Sequence, residues 1–311
     1  MNVHKITRFI TLILLLVALQ KANAQTDFPM SLVTSAPMQL NPATTGLFDD
    51  RYRIHMHFKS QTARVIAGGI SGTGISVDYN HEENKMGFGV SIFSNSVNRT
   101  ALRDFNLTLS YGYRLQLNDW SLLSFGVQGG FKQVGFSLEE LSFGSQFDPT
   151  YQGGFDPNRR PDFLISSNKV SLDASVGTFW QAFLGTSILL KTGASAFNLI
   201  PVRTDFLNED TYLRPKYVFS LEARYGGDPF HFIPSVMHVT QSEHTYTEMG
   251  LSTEFRDGGN FASIGLYYRT PNVIIPTIGF GMNKFTINLS IEYYLRNNFS
   301  QIFNISLLYR P

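Results

Sequence analysis

Phe285-Thr286-Ile287-Asn288-Leu289-Ser290-Ile291-Glu292-Tyr293 has an apolar residue at every odd position and a polar residue at every even position. Phe105 to Leu117 repeats this alternation over a longer stretch. A period of two is typical of a β-strand with one apolar and one polar face. Because the alternation recurs along almost the whole chain, the sequence predicts an all-β fold.

Clusters of Gly, Asn, Asp or Pro divide the alternating sequence into about fourteen strand-like segments. The predicted strands are Arg51–Phe58, Thr73–Asn80, Met86–Ser94, Asp104–Leu117, Ser121–Val134, Lys169–Trp180, Thr186–Phe197, Lys216–Tyr225, Phe230–Val239, Thr245–Phe255, Phe261–Arg269, Asn272–Met282, Lys284–Leu295 and Gln301–Arg310. Many are about 9 to 12 residues long, the length that a tilted membrane strand needs. Strands of soluble proteins are usually about 5 or 6 residues long.

Two further features favour a transmembrane antiparallel up-and-down β-barrel over a soluble sandwich, whose strands also alternate. Aromatic residues such as Tyr217 and Tyr225 lie on one face eight residues apart, a spacing that matches aromatic girdles on either side of an apolar band. The gaps between strands also alternate in length, as short periplasmic turns and longer outer loops do. The short gaps are Asn118–Trp120, Gln181–Gly185, Gly226–Asp228, Arg256–Asn260 and Asn283, and the longest are Lys59–Gly72, Gly135–Asn168 and Asn198–Pro215.

The N-terminus has the features of a secretory signal peptide. Lys5 and Arg8 precede the short apolar run Phe9 to Leu19, and Ala22-Asn23-Ala24 supplies a small-x-small cleavage site. We therefore predict cleavage before Gln25, with residues 1–24 as signal peptide, 25–50 as a periplasmic lead-in segment and 51–311 as the outer-membrane barrel. No later stretch approaches the roughly 18 to 20 apolar residues of a membrane helix, so any span must be β.

Composition excludes several classes of function. The chain has no cysteine, which rules out disulfides, cysteine-zinc sites and a thiol nucleophile. Its 25 basic and 24 acidic residues give no excess of positive charge for binding nucleic acid. Only 16% of the residues are charged, against about 25% in typical soluble domains.

Charged residues fall on the polar faces of the predicted strands. They are Asp78, Arg114, Glu222, Arg224, Glu248, Glu254, Glu292 and Arg310. Charge at a lipid-facing midplane position would cost roughly 2 to 4 kcal/mol, so these side chains are expected in the lumen. They would either brace the lumen through ion pairs or line a conduction pathway.

No catalytic constellation is found. His55 and His57 share the polar face of the first strand and could ligate a metal, but Arg53 and Lys59 flank them and no carboxylate partner is evident. The Gly87-x-Gly89 pattern lies inside a strand, where it cannot cradle a phosphate, and no Gly-x-Ser-x-Gly motif or P-loop occurs. The sequence therefore predicts no enzyme, no cofactor and no metal site.

The lead-in segment carries the most specific motif. Leu40-Asn41-Pro42-Ala43-Thr44-Thr45-Gly46 is followed by Asp50-Arg51-Tyr52-Arg53 and then by Phe58-Lys59-Ser60-Gln61. This order resembles the N-terminal signature of the PorP/SprF family of type IX secretion system outer-membrane proteins, although Thr62 stands where the family often has tryptophan. Beyond about the first 40 mature residues the resemblance is one of architecture.

The resemblance implies a non-enzymatic barrel of the secretion and gliding apparatus that helps secrete or anchor large adhesins at the cell surface. Its partners would be type IX secretion core subunits on the periplasmic side, an adhesin-like protein on the outer side and outer-membrane lipid. The candidate docking residues are Asn41, Pro42, Gly46, Arg51, Arg53 and Gln61. The same lead-in could instead fold under or into the barrel and plug it.

Two other functions remain as alternatives. A fatty-acid-type transporter of hydrophobic small molecules is also a fourteen-strand barrel with an N-terminal segment in its lumen, but it would need an apolar pocket. The inward positions here are mostly Ser, Thr, Asn, Gly and charged residues. A lipid hydrolase would need a serine-histidine pair, which the sequence does not offer.

Overall fold

The computed structural model describes residues 31, 34–63, 69–97, 102–136, 146–148, 150, 154, 156, 168–203, 212–242, 244–295 and 300–311. The predicted signal peptide and its cleavage site lie outside these residues. So does most of the longest predicted loop, Gly135–Asn168.

Sixteen strands and one short helix are present in the described residues. The strands are β1 Tyr52–Ala63, β2 Ile70–His81, β3 Met86–Val97, β4 Leu102–Asn118, β5 Ser121–Phe136, β6 Asn168–Leu184, β7 Ile188–Phe197, β8 Val202–Arg203, β9 Tyr212–Leu213, β10 Lys216–Gly227, β11 Phe230–Gln241, β12 His244–Asp257, β13 Asn260–Arg269, β14 Val273–Met282, β15 Phe285–Tyr294 and β16 Ser300–Tyr309. Helix α1 is Pro37–Leu40, and a 3-10 turn follows at Pro42–Thr44. Nowhere in the described ranges is a helix long and apolar enough to cross a bilayer.

Strands β1 to β7 and β10 to β16 form one closed antiparallel barrel of fourteen strands. The barrel closes where β1 pairs with β16, with Ile54 opposite Tyr309. Strand β7 pairs with β10, because β8 and β9 form a separate two-stranded ribbon within the connection between them. The predicted fold and all fourteen predicted strands are confirmed.

Several strands extend beyond the alternating sequence that predicted them. Strand β1 continues to Ala63, whereas the prediction ended at Phe58, and β2 begins at Ile70, whereas the prediction began at Thr73. The extra residues continue the β1–β2 ladder, with Gln61 opposite Ile70. Backbone hydrogen bonds between strands do not require an apolar outer face. The β1–β2 ladder therefore continues beyond the alternating sequence, and the first loop is shorter than predicted.

Tight turns close one end of the barrel, here called the short-turn end. The turns occupy residues 82–85, 119–120, 185–187, 228–229, 258–259 and 283–284. In the two-residue turn after β14, Asn283 adopts a positive φ of 49°, a conformation that asparagine tolerates well. The opposite, long-loop end carries the connections that follow β1, β3, β5, β7, β11, β13 and β15.

Exposure along the strands is the reverse of that in a soluble sandwich. On β4, Leu109 is 62% exposed and points outward, whereas its neighbours Thr108 and Ser110 are 4% and 7% exposed and point into the lumen. Tyr217 and Tyr225, the aromatic residues expected at the girdles, also face outward. An apolar outer wall around a polar interior is the arrangement that lipid requires.

Candidate functional site: a plug in the lumen

Residues Thr34–Asp50, here called the plug, lie inside the barrel. Asn41 separates α1 from the 3-10 turn with an extended backbone, φ −158° and ψ 118°. Its side-chain oxygen accepts a hydrogen bond from the Ala43 backbone N–H at 2.9 Å, the local bond that the Asn-Pro sequence predicts. Pro42 begins the 3-10 turn, where a missing N–H has no cost. The motif therefore fixes a compact, non-extended shape.

Glycines on the inner wall form a flat seat for the plug. A Cβ added at Gly126 would overlap the Pro42 carbonyl, and one added at Gly112 would overlap the carbonyl oxygen of Thr45. Gly87, Gly177 and Gly193 are blocked by the plug in the same way. The polypeptide backbone can lie directly against β3–β7 only because these inward positions lack a side chain.

Polar side chains of the wall bind the plug's backbone carbonyls. Two serines and two arginines donate these hydrogen bonds: Ser195 Oγ to Leu40 O (2.7 Å), Ser124 Oγ to Ala43 O (2.6 Å), Arg53 Nη2 to Thr44 O (3.0 Å) and Arg114 Nη1 to Gly46 O (3.0 Å). In the opposite direction, Asn41 Nδ2 donates to the Thr178 carbonyl of β6 at 2.8 Å. A buried carbonyl without a partner would be costly, so these bonds explain how irregular backbone is stable here.

Asp78 joins the plug to the first two strands. Its carboxylate receives two bonds from the Arg53 guanidinium, Nε to Oδ1 at 2.9 Å and Nη2 to Oδ2 at 2.6 Å. Oδ2 also accepts the Gly46 backbone N–H at 2.8 Å. Asp78 and Arg53 are 2% and 7% exposed. A buried ion pair is tolerable only when its remaining hydrogen-bonding capacity is used, and the plug completes this one.

Apolar side chains anchor the other end of the plug. Met38 is fully buried, and its Sδ accepts a hydrogen bond from Ser110 Oγ at 3.2 Å. Leu40 packs against a lumenal cluster of Phe197, Val218, Met237 and Val239. These contacts reach the β7, β10 and β11 side of the barrel, so the plug spans the lumen from wall to wall.

A second group of charges, here called the charge network, lies beside the plug. Arg269 binds Glu292 through Nη1 at 2.6 Å and Glu248 through Nη2 at 2.7 Å. Lys59 Nζ lies 3.2 Å from Glu292 Oε1. Ser31, which precedes the plug, donates to Glu248 Oε1 at 3.2 Å. Two cations and two carboxylates thus balance, and none of these four side chains is more than 8% exposed.

The charges predicted on polar strand faces therefore lie within contacts that brace the lumen. Besides those already described, the pairs are Lys191 with Glu222 (2.8 Å), Arg224 and Arg256 with Glu254 (2.6 and 3.0 Å), and Arg310 with Asp50 (3.7 Å). This arrangement favours the bracing interpretation of these residues over a conduction pathway.

The predicted docking residues do not form one surface. Asn41, Pro42, Gly46 and Arg53 meet at the plug and are buried. Arg51 is exposed at the short-turn end, with its guanidinium 5.7 Å from the ring of Tyr52 and 5.7 Å from that of Tyr79. Gln61 is the tenth residue of β1 and lies near the long-loop end.

The sequence did not reveal which residues of the barrel wall bind the plug. Asp78 and Arg114 were predicted to face the lumen but not to bind the Gly46 region, and Ser124 and Ser195 were not singled out at all. The available signal was the recurrence of glycine at inward positions of β3–β7. Gly87-x-Gly89 was treated only as a failed phosphate-binding pattern, whereas it faces Thr45 and Met38.

The two candidate metal ligands of β1 lie on the inner wall. The ring centroids of His55 and His57 are 6.0 Å apart, and the His57 ring packs on Phe93 at 4.8 Å. Across the residues that the structure describes, no three His, Asp or Glu side chains group as a metal site would require.

Solved structures with similar folds are outer-membrane barrels. The deltaS2S3 mutant of the monoaromatic hydrocarbon channel TodX has a TM-score of 0.54 at 11% identity, covering 88% of this chain and 93% of its own. The monoaromatic hydrocarbon channel CymD has a TM-score of 0.51 at 12% identity, covering 88% and 92%. The Pseudomonas putida toluene transporter TodX has a TM-score of 0.51 at 12% identity, covering 89% and 95%. At such low identity these likenesses show the fold alone.

No curated protein sequence matches the chain significantly. The family described as "Type IX secretion system membrane protein PorP/SprF" matches residues 22–309, which include the plug and every strand of the barrel. The protein belongs to the PorP/SprF family of type IX secretion system membrane proteins.

Proposed function

We propose that this barrel is a non-enzymatic scaffold of the type IX secretion and gliding apparatus, which helps secrete large adhesin-like proteins or anchor them at the cell surface. The observation that carries the proposal is the plug. The chain's own N-terminal segment spans the lumen of a family member, held by buried hydrogen bonds and the Asp78–Arg53 pair. Because a fatty-acid-type transporter also has an N-terminal segment in its lumen, the plug supports the scaffold together with the mostly polar lining of the space that remains beside it.

The lining of the remaining lumen argues against the transporter alternative. TodX and CymD are named as hydrocarbon channels, and a route for hydrocarbons needs an apolar wall. Here most side chains that line the space beside the plug are polar or charged, among them Lys59, Asn95, Asp104 and Lys132, and the apolar ones are Phe58, Phe93 and Phe197. Their desolvation would oppose the passage of an apolar molecule.

The two ends of the barrel would serve different partners. In outer-membrane barrels the short turns face the periplasm, so the short-turn end, where Arg51 is exposed, would meet the secretion core subunits. The outer loops Gly135–Asn168 and Asn198–Pro215 would meet the secreted protein. Partner binding would depend on the position of the plug, which is fixed by Asn41, Pro42, Gly46 and Arg53. Gln61 would contribute to binding at the long-loop end.

A pull-down tests the proposal directly. The tagged protein is extracted from its native membrane in mild detergent, and the bound proteins are identified by mass. Recovery of type IX core subunits or a very large surface adhesin supports the scaffold. Recovery of the barrel alone with a bound hydrophobic small molecule supports the transporter and overturns the proposal. An Arg51→Glu variant, exposed and outside the plug contacts, should lose the core subunits while keeping the adhesin.

A further inference from the structure

The plug runs along the axis of the barrel as well as across it. Its C-terminal residue, Asp50, lies at the short-turn end, where its carbonyl accepts a hydrogen bond at 3.2 Å from Nδ2 of Asn80, next to the last residue of β2. Its middle lies near half height, because Asn41 faces Gly193, the sixth of the ten residues of β7. Followed towards its N-terminus, the plug therefore rises from the short turns into the lumen.

Ser31 continues this path into the long-loop half of the lumen. Its Oγ donates to Glu248, the fifth residue of β12 counted from the long-loop end. The other carboxylate and the arginine of the charge network lie similarly high, because Arg269 is the last residue of β13 and Glu292 is the eighth of ten in β15. Two bonds at 3.1 Å fix Ser31 to the plug: Ser35 N–H donates to the Ser31 carbonyl, and Ser31 N–H donates to Ser35 Oγ.

The chain before Ser31 is too short to return to the short-turn end. With the predicted cleavage before Gln25, only residues 25–30 precede Ser31, and a chain of that length spans at most about 20 Å. Glu248 lies nine positions from Asp257, the short-turn end of β12, which is about 23 Å of height at 3.3 Å per residue and a tilt near 40°. It lies four positions from His244, the long-loop end, which is about 10 Å of height.

We propose that the lead-in passes through the barrel, so that the mature N-terminus lies on the outer side of the membrane beside the long loops. The short turns of outer-membrane barrels face the periplasm, so β1 begins on the opposite side from the N-terminus. Residues 25–30, Gln-Thr-Asp-Phe-Pro-Met, then belong to the surface that binds the secreted protein, a step that rests on the proposed function. Phe28 and Met30 are of residue types enriched where one protein binds another.

Cysteine labelling of intact cells tests the direction. Because the chain has no cysteine, Thr26→Cys gives a single reporter next to the predicted mature N-terminus. A polyethylene-glycol maleimide too large to cross the outer membrane should label it in intact cells. Thr150→Cys, exposed in the connection after β5, should be labelled likewise, whereas Asp119→Cys, exposed in the short turn after β4, should be labelled only after lysis. The direction is wrong if Thr26→Cys stays unlabelled in intact cells.

A pull-down of a second variant tests the partner. Replacement of Phe28-Pro29-Met30 by Gly-Ser-Gly keeps the length of the lead-in, the predicted cleavage site and the side chain that binds Glu248. This variant should lose the very large adhesin and keep the core subunits, the reverse of the result expected for Arg51→Glu. Ser290→Ala, a buried lumenal substitution on β15, is the control and should keep both.

The two experiments separate this inference from the proposed function. If the wild type recovers neither the adhesin nor the core subunits, the proposed function fails, and labelling of Thr26→Cys in intact cells still supports the outer position of the N-terminus. If the wild type and the Gly-Ser-Gly variant recover the adhesin equally, the proposed function stands and the N-terminus is not part of the binding surface.

Discussion

The contribution of a single wall residue depends on whether it faces the lumen or the outside of the barrel. Gly126 keeps an inward position empty so that the plug can lie on it, whereas Gly129, three residues further on, faces outward and has only the Asp173 carbonyl near its missing Cβ, at 3.9 Å. Asp78 instead fills its inward position with charge that the plug and Arg53 neutralise. The plug's stability therefore depends on a few identifiable side chains.

Asp78→Ala should destabilise the barrel strongly. It leaves Arg53 buried without its carboxylate and the Gly46 N–H without an acceptor, and losing one partner of a buried ion pair costs about 3–5 kcal/mol. The free energy of unfolding would be measured by urea titration of the barrel in liposomes. A loss below about 1 kcal/mol, within the range of exposed ion pairs, would show that the pair is not a structural clamp.

Gly126→Leu should displace the plug while leaving the sheet intact. Because the chain has no cysteine, Thr45→Cys provides a single reporter at a plug position that is 0% exposed. Maleimide should label this cysteine slowly in the parent and at least tenfold faster with Gly126→Leu. Gly129→Leu on the outer face is the control and should not change the rate. Equal labelling with both leucine variants would contradict the glycine seat.

Among the elements, the strands could be predicted from sequence, whereas the plug was one of two alternatives for the lead-in segment and its position could not be predicted. The alternating sequence of a strand such as β15 indicates its environment, because one face meets lipid and the other meets the lumen along the whole strand. The plug's position depends on distant partners: Asn41 bonds the carbonyls of Thr178 and Ala194, 137 and 153 residues away. The Asn41-Pro42 sequence by itself favours a turn, but the wall that binds the plug exists only after the barrel closes.

The outer face of β4 gives a depth-dependent prediction. Leu109 lies near the middle of this strand and Leu115 near its short-turn end, and both point outward. Leu109→Arg should cost about 2–4 kcal/mol and Leu115→Arg about 0–1 kcal/mol, since the penalty for arginine falls towards the interface. Unfolding titrations in liposomes would measure both. Equal costs would mean that β4 is not centred in the bilayer near Leu109.

For the whole molecule, closure of the barrel and filling of its lumen by the plug depend on different contacts. The hydrogen-bonded ladder from β1 round to β16 is continuous without the plug, whereas the plug depends on side chains from β1 to β7 and on the Phe197 cluster. A change confined to the plug should therefore leave the barrel folded. This separation allows the role of the plug in secretion to be tested without losing the barrel.

Asn41→Ala with Pro42→Ala should give a heat-modifiable barrel at normal abundance in the outer membrane but impair secretion of its adhesin-like substrate several-fold. The pair removes the Asn41 bonds to Thr178 and Ala43 and the proline that begins the 3-10 turn, so the plug loses its fixed shape while no strand pairing changes. Secretion would be measured as surface-exposed substrate, with Ser290→Ala as the folded control. If secretion continues unchanged while maleimide labelling shows a displaced plug, the plug is only a filling of the lumen. If secretion falls, the barrel's partners depend on the plug's position, as the scaffold proposal requires.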